Sequence, residues 1–337
     1  MKYGMIEVAA CSPKLRVGDP KHNAQALAQA ICQEADKGVR ILVTPELGLT
    51  GYTVGDLLGQ TTLLNAALDG LEYLLEETAH ADIVAVVGLP LAVSGKVYNA
   101  AAVLLHGKIL GVLAKWYLPN YREFEEVRYF APSPKEVQTI SLLKQSVPFG
   151  GYQVYRCLNM PDLTIGVEIC EDLWVPHAPH ETLAQAGATI LCNLSASDQL
   201  VSKANYRRML VRSAAARTFS GYIYCDAPST ESTQDVVFSA HNIISESGFL
   251  MAESKPFEGG YAHTQIDLER LTHERKCRNT FETKAEGVTT VDFAFDSITT
   301  TPLTRVISPF PFVPEDKDTL KERAEEILAL QSHGLAR

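Results

Sequence analysis

No stretch of this 337-residue chain is long enough and apolar enough to span a membrane. The most apolar region, "AAVLLHGKILGVLAKW", is interrupted by His106, Gly107 and Lys108. The opening "MKYGMIEVAACSP" reads as a strand and lacks the hydrophobic segment of a signal peptide. Basic charge is also scarce: 30 Lys and Arg against 40 Asp and Glu leave a net charge of -10. That excludes a general nucleic-acid surface, which needs a positive field. The two dense basic runs, "YRRMLVR" and "HERKCR", are short and read as solvated faces. The seven cysteines contain no C-x-x-C pair, so neither a disulfide framework nor a zinc spacing is expected. Scattered free thiols suit a reducing cytoplasm. His177 and His180 form an H-x-x-H in a Pro-containing loop with no third ligand in reach of the sequence, and no metal is expected there.

What the chain does have is apolar content, 46% of its residues, enough for a large core. Short runs rich in Val, Ile and Ala recur: "MIEVAAC", "RILVTPE", "DIVAVVG", "YNAAAVLL", "KILGVLAKW", "LTIGVEIC", "ATILCNLS" and "GYIYCDA" among them. Several are almost continuously apolar, as strands covered on both faces should be. Helical patterns alternate with them. "PKHNAQALAQAICQEADKG" places Ala24, Leu27, Ala28, Ile31 and Ala35 on one face before Gly38, and "KANYRRMLVRSAAARTFSG" repeats the scheme with Gly221 as its stop. "HGKI" and "SESGF" are hairpin turns by composition. The expected class is α/β with mixed strand pairing. Beyond residue 285 the pattern weakens into the Pro-rich "SPFPFVPEDK", expected as a connector, and then the amphipathic "DTLKERAEEILALQSHGLAR", expected as one helix.

Three chemistry-bearing residues share a setting, each just after an apolar strand: Glu46 after "RILVTP", Lys115 after "KILGVLA" and Cys170 after "LTIGVEI". Ligands of open α/β sheets gather outside the carboxyl ends of strands, so the three could converge. A Glu to take a thiol proton, a thiol to attack a carbonyl and a Lys to stabilise the oxyanion make a coherent acyl-transfer set. The setting of Cys170 in "GVEICEDLW" is otherwise unfavourable. Glu168, Glu171 and Asp172 flank it and should disfavour a thiolate. On spacing alone each of the three reads first as a structural residue: a buried inert thiol, a loop-capping Glu46 and a solvated strand-end Lys115.

The segments "TPELGLTGY", "KWYLPNYREFEEVRYF" and "GVEICEDLWVP", in that order, closely resemble the three catalytic segments of the nitrilase superfamily of carbon-nitrogen hydrolases. They look most like the glutamine-hydrolysing domain of glutamine-dependent NAD synthetases, as do "CNLSASDQLVSKANYRR" and "DLERLTHERKCRNTF". The resemblance runs from residue 3 to 337 and implies a nitrilase-like four-layer α-β-β-α sandwich with mixed sheets. It implies a hydrolase domain over 1–285, followed by a connector and linker helix over 286–337. By position, Glu46 resembles the general base, Lys115 the oxyanion stabiliser, Cys170 the nucleophile and Glu171 a second active-site glutamate. Tyr52, Tyr121, Trp174 and Ser197 match positions lining the substrate pocket or its floor, although Ser197 could instead cap the helix ahead of "KANYRR".

The implied reaction is hydrolysis of glutamine to glutamate and ammonia, with a free-standing amidase or nitrilase acting on another small amide as the alternative. No metal or organic cofactor is implied for this domain. The family's ATP-dependent synthetase domain carries a "SGGxDS" phosphate loop. Here "GG" occurs in "FGGYQ" and "EGGYA", neither followed by Asp-Ser. The expectation is therefore an isolated amidase domain. ATP, magnesium and deamido-NAD would belong to the synthetase domain or subunit as partner, and the resemblance also implies at least a homodimer.

Overall fold

The computed structural model describes residues 4–233, 235–298, 302–314 and 316–336. The chain runs β1 (Met5–Cys11), α1 (Pro20–Asp36), β2 (Ile41–Val43), α2 (Thr61–Glu77), β3 (Val84–Val93), β4 (Lys96–Leu105) and β5 (Lys108–Ala114). There follow the single turn α3 (Glu126–Tyr129), β6 (Gln138–Leu142), β7 (Gln145–Phe149), β8 (Tyr152–Cys157), β9 (Thr164–Ile169), α4 (Pro179–Gln185) and β10 (Ile190–Leu194). The rest comprises α5 (Lys203–Thr218), β11 (Gly221–Cys225), β12 (Ile243–Glu246), β13 (Phe249–Glu253), β14 (Tyr261–Asp267), α6 (Leu268–Lys276), β15 (Val288–Phe293) and α7 (Lys317–Leu335).

Among the described residues the strands form two mixed sheets, ordered β14-β1-β2-β3-β4-β5-β7-β6 and β13-β12-β11-β10-β9-β8-β15. The strand period of two sorts their side chains. In β1, Ile6, Val8 and Ala10 enter the core between the sheets, where they meet Ile190, Cys192, Ile223 and Ile244 of the second sheet. Ala9 points the other way and packs with Leu27 and Ile31 of α1 and Leu71 and Leu74 of α2. Leu191 and Tyr222 do the same on the far side, against Leu183 of α4 and Val211 and Ala215 of α5. The result is the expected α-β-β-α layering. Each fully buried Val, Leu or Ile contributes about 1.5–3 kcal/mol, so covering all four sheet faces supplies the driving force.

Local signals account for most boundaries. Asp19 caps α1 by accepting the His22 N–H at 3.1 Å, and Pro20 opens the helix. The "HGKI" turn joins β4 to β5, with His106 and Gly107 both at positive φ, as a two-residue hairpin requires. Gly221 does not stop α5, contrary to the sequence expectation. The helix ends at Thr218 with Phe219 left-handed, and Gly221 is the first residue of β11. A Cβ there would sit 2.7 Å from Ile190 Cδ1 and 3.0 Å from Ile266 Cγ2, so inter-sheet packing claims the glycine.

The boundary expected at 285/286 lies inside the first compact unit, which extends to Leu303. Residues 288–293, read as connector, pair in parallel with β8 from Val288–Tyr152 to Phe293–Cys157. Phe293 and Phe295 are buried against the inter-sheet core. The second unit begins at Thr304 and contains α7, none of whose described residues is buried. No helix among the described residues is long and apolar enough to cross a membrane.

Candidate active site

Glu46, Lys115 and Cys170 each lie just beyond the carboxyl end of a strand: β2, β5 and β9. Glu46 sits in the tight turn after β2, with Leu47 at φ 51°. This turn presses onto β3 at Gly88, where a Cβ would fall 2.4 Å from Leu47 N and 2.6 Å from Pro45 O. Only glycine lets the two backbones approach so closely. Cys170 follows β9 at φ 46° and starts a single 3₁₀ turn through Leu173. Asp172 anchors that turn by accepting the N–H groups of Ile169 and Tyr117, both at 3.0 Å. The nucleophile candidate is thus held on a strained strand-to-turn corner.

Lys115 is fully buried, and its Nζ donates to Glu46 Oε1 at 2.7 Å and to Glu126 Oε1 at 2.6 Å. Glu46 is equally buried and held on both oxygens: Asn99 Nδ2 donates to Oε1 at 2.6 Å and the Ala196 N–H to Oε2 at 2.8 Å, which leaves Oε2 a lone pair for a proton. Tyr52 donates its hydroxyl to Glu126 Oε1 at 2.8 Å. A buried ammonium is affordable only when paired in this way. Burial alone would lower the Lys115 pKa, but Glu126 and Glu46 together hold it well above its usual value. Glu126 rises to about 7: burial outweighs the pull of Lys115, and Glu46 adds to the rise. The Cys170 thiol is pushed well above its usual value, first by burial and then by Glu46, with Lys115 and the Ala196 N–H pulling the other way. At rest it is a neutral thiol that needs a base.

The glutamate facing Lys115 beside Glu46 is therefore Glu126, which the sequence reading missed. Glu171, read as the second active-site glutamate, lines the cavity beside Cys170 and accepts the Tyr121 hydroxyl at 3.0 and 2.9 Å. The run "YREFEEVRYF" holds three glutamates, and nothing in its spacing says which one the single turn of α3 points inward. Asn99 left a fainter signal, a polar residue within the apolar run "YNAAAVLL".

Cys170 opens onto a cavity of about 440 Å³ whose lining includes Glu171, Tyr121, Trp174, Ser197 and Lys203. Four of the sequence-derived candidates therefore share a wall with the cysteine. Tyr52 does not belong to that lining. It packs edge-on to Phe124 and Phe238 and lines a separate cavity of about 180 Å³ that also touches Glu126. Ser197 is not a helix cap either, since α5 starts at Lys203, after a left-handed Ser202. Lys203, which the sequence reading did not single out, stands 5.4 Å from the Trp174 ring centre and pairs with Asp198. Of the H-x-x-H pair, His180 is engaged elsewhere: its Nδ1 lies 3.0 Å from Glu168, which also accepts the Tyr222 hydroxyl.

Residues 7–276 match the carbon-nitrogen hydrolase family over most of the chain. The chain belongs to that family. Glutamine-dependent NAD(+) synthetase of Mycobacterium tuberculosis (strain H37Rv) is 38% identical to this carbon-nitrogen hydrolase over 344 residues, covering 99% of this chain and 51% of the relative. The corresponding protein of Mycobacterium leprae is 36% identical over 98% of this chain and 50% of its own. This hydrolase thus spans about half the length of the relatives it matches. Among solved structures, a glutamine-dependent NAD(+) synthetase from Cytophaga hutchinsonii superposes with a TM-score of 0.69 at 26% identity, over 78% of this chain and 43% of that one. An amidase from Nesterenkonia sp., at 19% identity and a TM-score of 0.62, shares the fold over 82% of this chain and 98% of its own.

Proposed function

We propose that this carbon-nitrogen hydrolase removes the side-chain amide of L-glutamine through a thioester on Cys170. The products are glutamate and ammonia, the ammonia destined for amidation of deamido-NAD by a synthetase module. The observation that carries the reading is the Glu46–Lys115–Glu126 cluster beside a buried thiol at the end of a cleft with both signs of charge. Glu46 takes the thiol proton as sulfur attacks the amide carbon, and Lys115 stabilises the charge that develops on the amide oxygen. Glu46 returns the proton to the leaving nitrogen, the C–N bond breaks, and ammonia departs. Glu46 then deprotonates water, which cleaves the thioester, frees glutamate and restores the thiol. Glu126 keeps Lys115 charged and fixed throughout. Glu171, with Tyr121 on it, and Lys203 offer a carboxylate and an ammonium to the α-amino and α-carboxylate groups that distinguish glutamine from a simple amide. The names of the relatives support the same substrate.

A diazo-ketone analogue of glutamine tests the proposal. The expected result is one adduct, on Cys170 by peptide mass spectrometry, suppressed by excess glutamine and lost in Glu46→Ala. A folded protein left unlabelled at Cys170, yet turning over small aliphatic amides, would replace glutaminase with a general amidase.

A further inference from the structure

Arg207 of α5 is among the largest fully buried side chains of the protein, and the mechanism above makes no use of it. Its Nη1 donates to His241 Nδ1 at 2.8 Å and to Gln199 Oε1 at 3.3 Å. Its Nη2 donates to Ser197 Oγ at 3.1 Å, to Ser197 O at 3.2 Å and to Asp198 O at 3.3 Å. Asp226 lies 3.7 Å away and accepts the Ser197 N–H at 2.9 Å. A buried guanidinium and a buried carboxylate thus grip one short segment, residues 197–198, from two sides. The His241 Nδ1 must accept from Arg207, which leaves Nε2 to donate to Glu253. Burial pushes His241 down to about 4, so it stays neutral and keeps that acceptor.

The direction of these bonds matters for the cleft. A guanidinium has donors and no acceptor. Ser197 Oγ therefore receives the Arg207 N–H, and its single proton remains for something else. Ser197 lines the cavity next to Cys170. Without Arg207 the hydroxyl could rotate and present either a donor or a lone pair. With Arg207 in place one lone pair is taken, and the positive guanidinium turns the hydroxyl proton away from itself, which favours donation on the cavity side.

We propose that Arg207 is a positioning residue which, acting through Ser197, makes the cleft a hydrogen-bond donor to the carboxylate of the substrate and so selects an amino-acid amide over an amide without a carboxylate. The inference rests on the glutaminase reading above. It adds to that reading a residue that touches no substrate atom.

The test combines Cys170 labelling by the diazo-ketone analogue, read as KI and kinact, with four proteins: wild type, Ser197→Ala, Arg207→Lys and the double variant. A lysine cannot reproduce the forked geometry. Arg207→Lys is expected to raise KI roughly tenfold, the size of one hydrogen bond to a charged group, with the loss falling on KI rather than kinact. Ser197→Ala should raise KI similarly, and the double variant should be no worse than Ser197→Ala alone, because both remove one interaction. Multiplicative losses, or a loss confined to kinact, would overturn the proposal. If Arg207→Lys does not fold, the decision moves to turnover by wild type and Ser197→Ala. Glutamine should lose affinity in Ser197→Ala, while 4-aminobutyramide, which lacks the carboxylate, should not. Equal losses on both amides would sink the proposal. Wild type that labels normally while the variants match it rejects the Arg207 inference alone, whereas wild type that never labels rejects the glutaminase reading with it.

Discussion

Glu126 of α3 accepts from Lys115, just after β5, and from Tyr52, in the loop between β2 and α2, so three residues meet at a single atom. Replacing it by Gln removes a negative charge from beside Lys115 while keeping its shape. With one carboxylate gone, Lys115 loses part of what holds its proton and its position. The expected outcome for Glu126→Gln is a kcat for the proposed glutamine hydrolysis lowered by about 10²-fold with an intact near-UV circular dichroism spectrum. Cys170→Ala should be more severe, a loss of at least about 10³-fold with no labelled peptide, because no neighbouring group can take over as nucleophile. Neither outcome could be ranked from sequence. "EFEEV" shows three equivalent carboxylates, and the buried one is chosen by a four-residue turn packing over Lys115.

At the scale of elements, the site is a set of strand ends brought to one edge of two stacked sheets, and the close approach of the β2–β3 corner is its tightest tolerance. Gly88→Ala would put a methyl group within 2.6 Å of two backbone atoms of the Glu46 turn, which no rotamer change relieves. Overpacking of this kind costs roughly 1–3 kcal/mol. Because the strained atoms belong to the residues around Glu46, thermal unfolding should shift down by a few degrees and the proposed glutaminase activity should fall with it. A variant with normal melting and normal turnover would show that the turn has more slack than the distances indicate. The core strands were legible as continuous apolar runs, and α1 as a capped amphipathic repeat. The β6–β7 hairpin, β8 and β15 were not. Their sequences "QTISL", "QSVPF", "YQVYRC" and "VTTVDF" mix polar and apolar residues, and β6 and β15 lie at the sheet edges, where one side is left without a strand.

For the molecule as a whole, β15 decides where the hydrolase unit ends. A chain stopped after residue 303 should unfold like the full chain. One stopped after residue 285 would lose β15 and the buried rings of Phe293 and Phe295, each worth about 3–5 kcal/mol by analogy with Phe→Ala substitutions, and should unfold at clearly lower denaturant concentration. Global stability should also carry a pH signature from Glu231. This buried carboxyl accepts the Tyr52 N–H at 2.7 Å, and burial lifts it from about 4.5 to about 8. Between those values the folded state binds the proton that the unfolded state has released, so stability should fall as pH rises through that window. Glu231→Gln keeps the acceptor and removes the titration. Its melting temperature relative to wild type should therefore rise steadily between pH 5 and pH 8, and a pH-independent difference would rule this out.

Sequence by itself determined the layered α/β class and the strand-end positions of Glu46, Lys115 and Cys170. Apolar periodicity and turn chemistry are local properties, and a motif with several fixed residues carries its own context. Only the tertiary structure decided that Glu126 pairs with Lys115, that Tyr52 bonds Glu126 and that Arg207 stands behind Ser197. Each of these is a matter of which polar side chain is taken out of water and who its partners are. That free energy depends on groups tens to hundreds of residues apart, and it exists only once the two sheets have stacked.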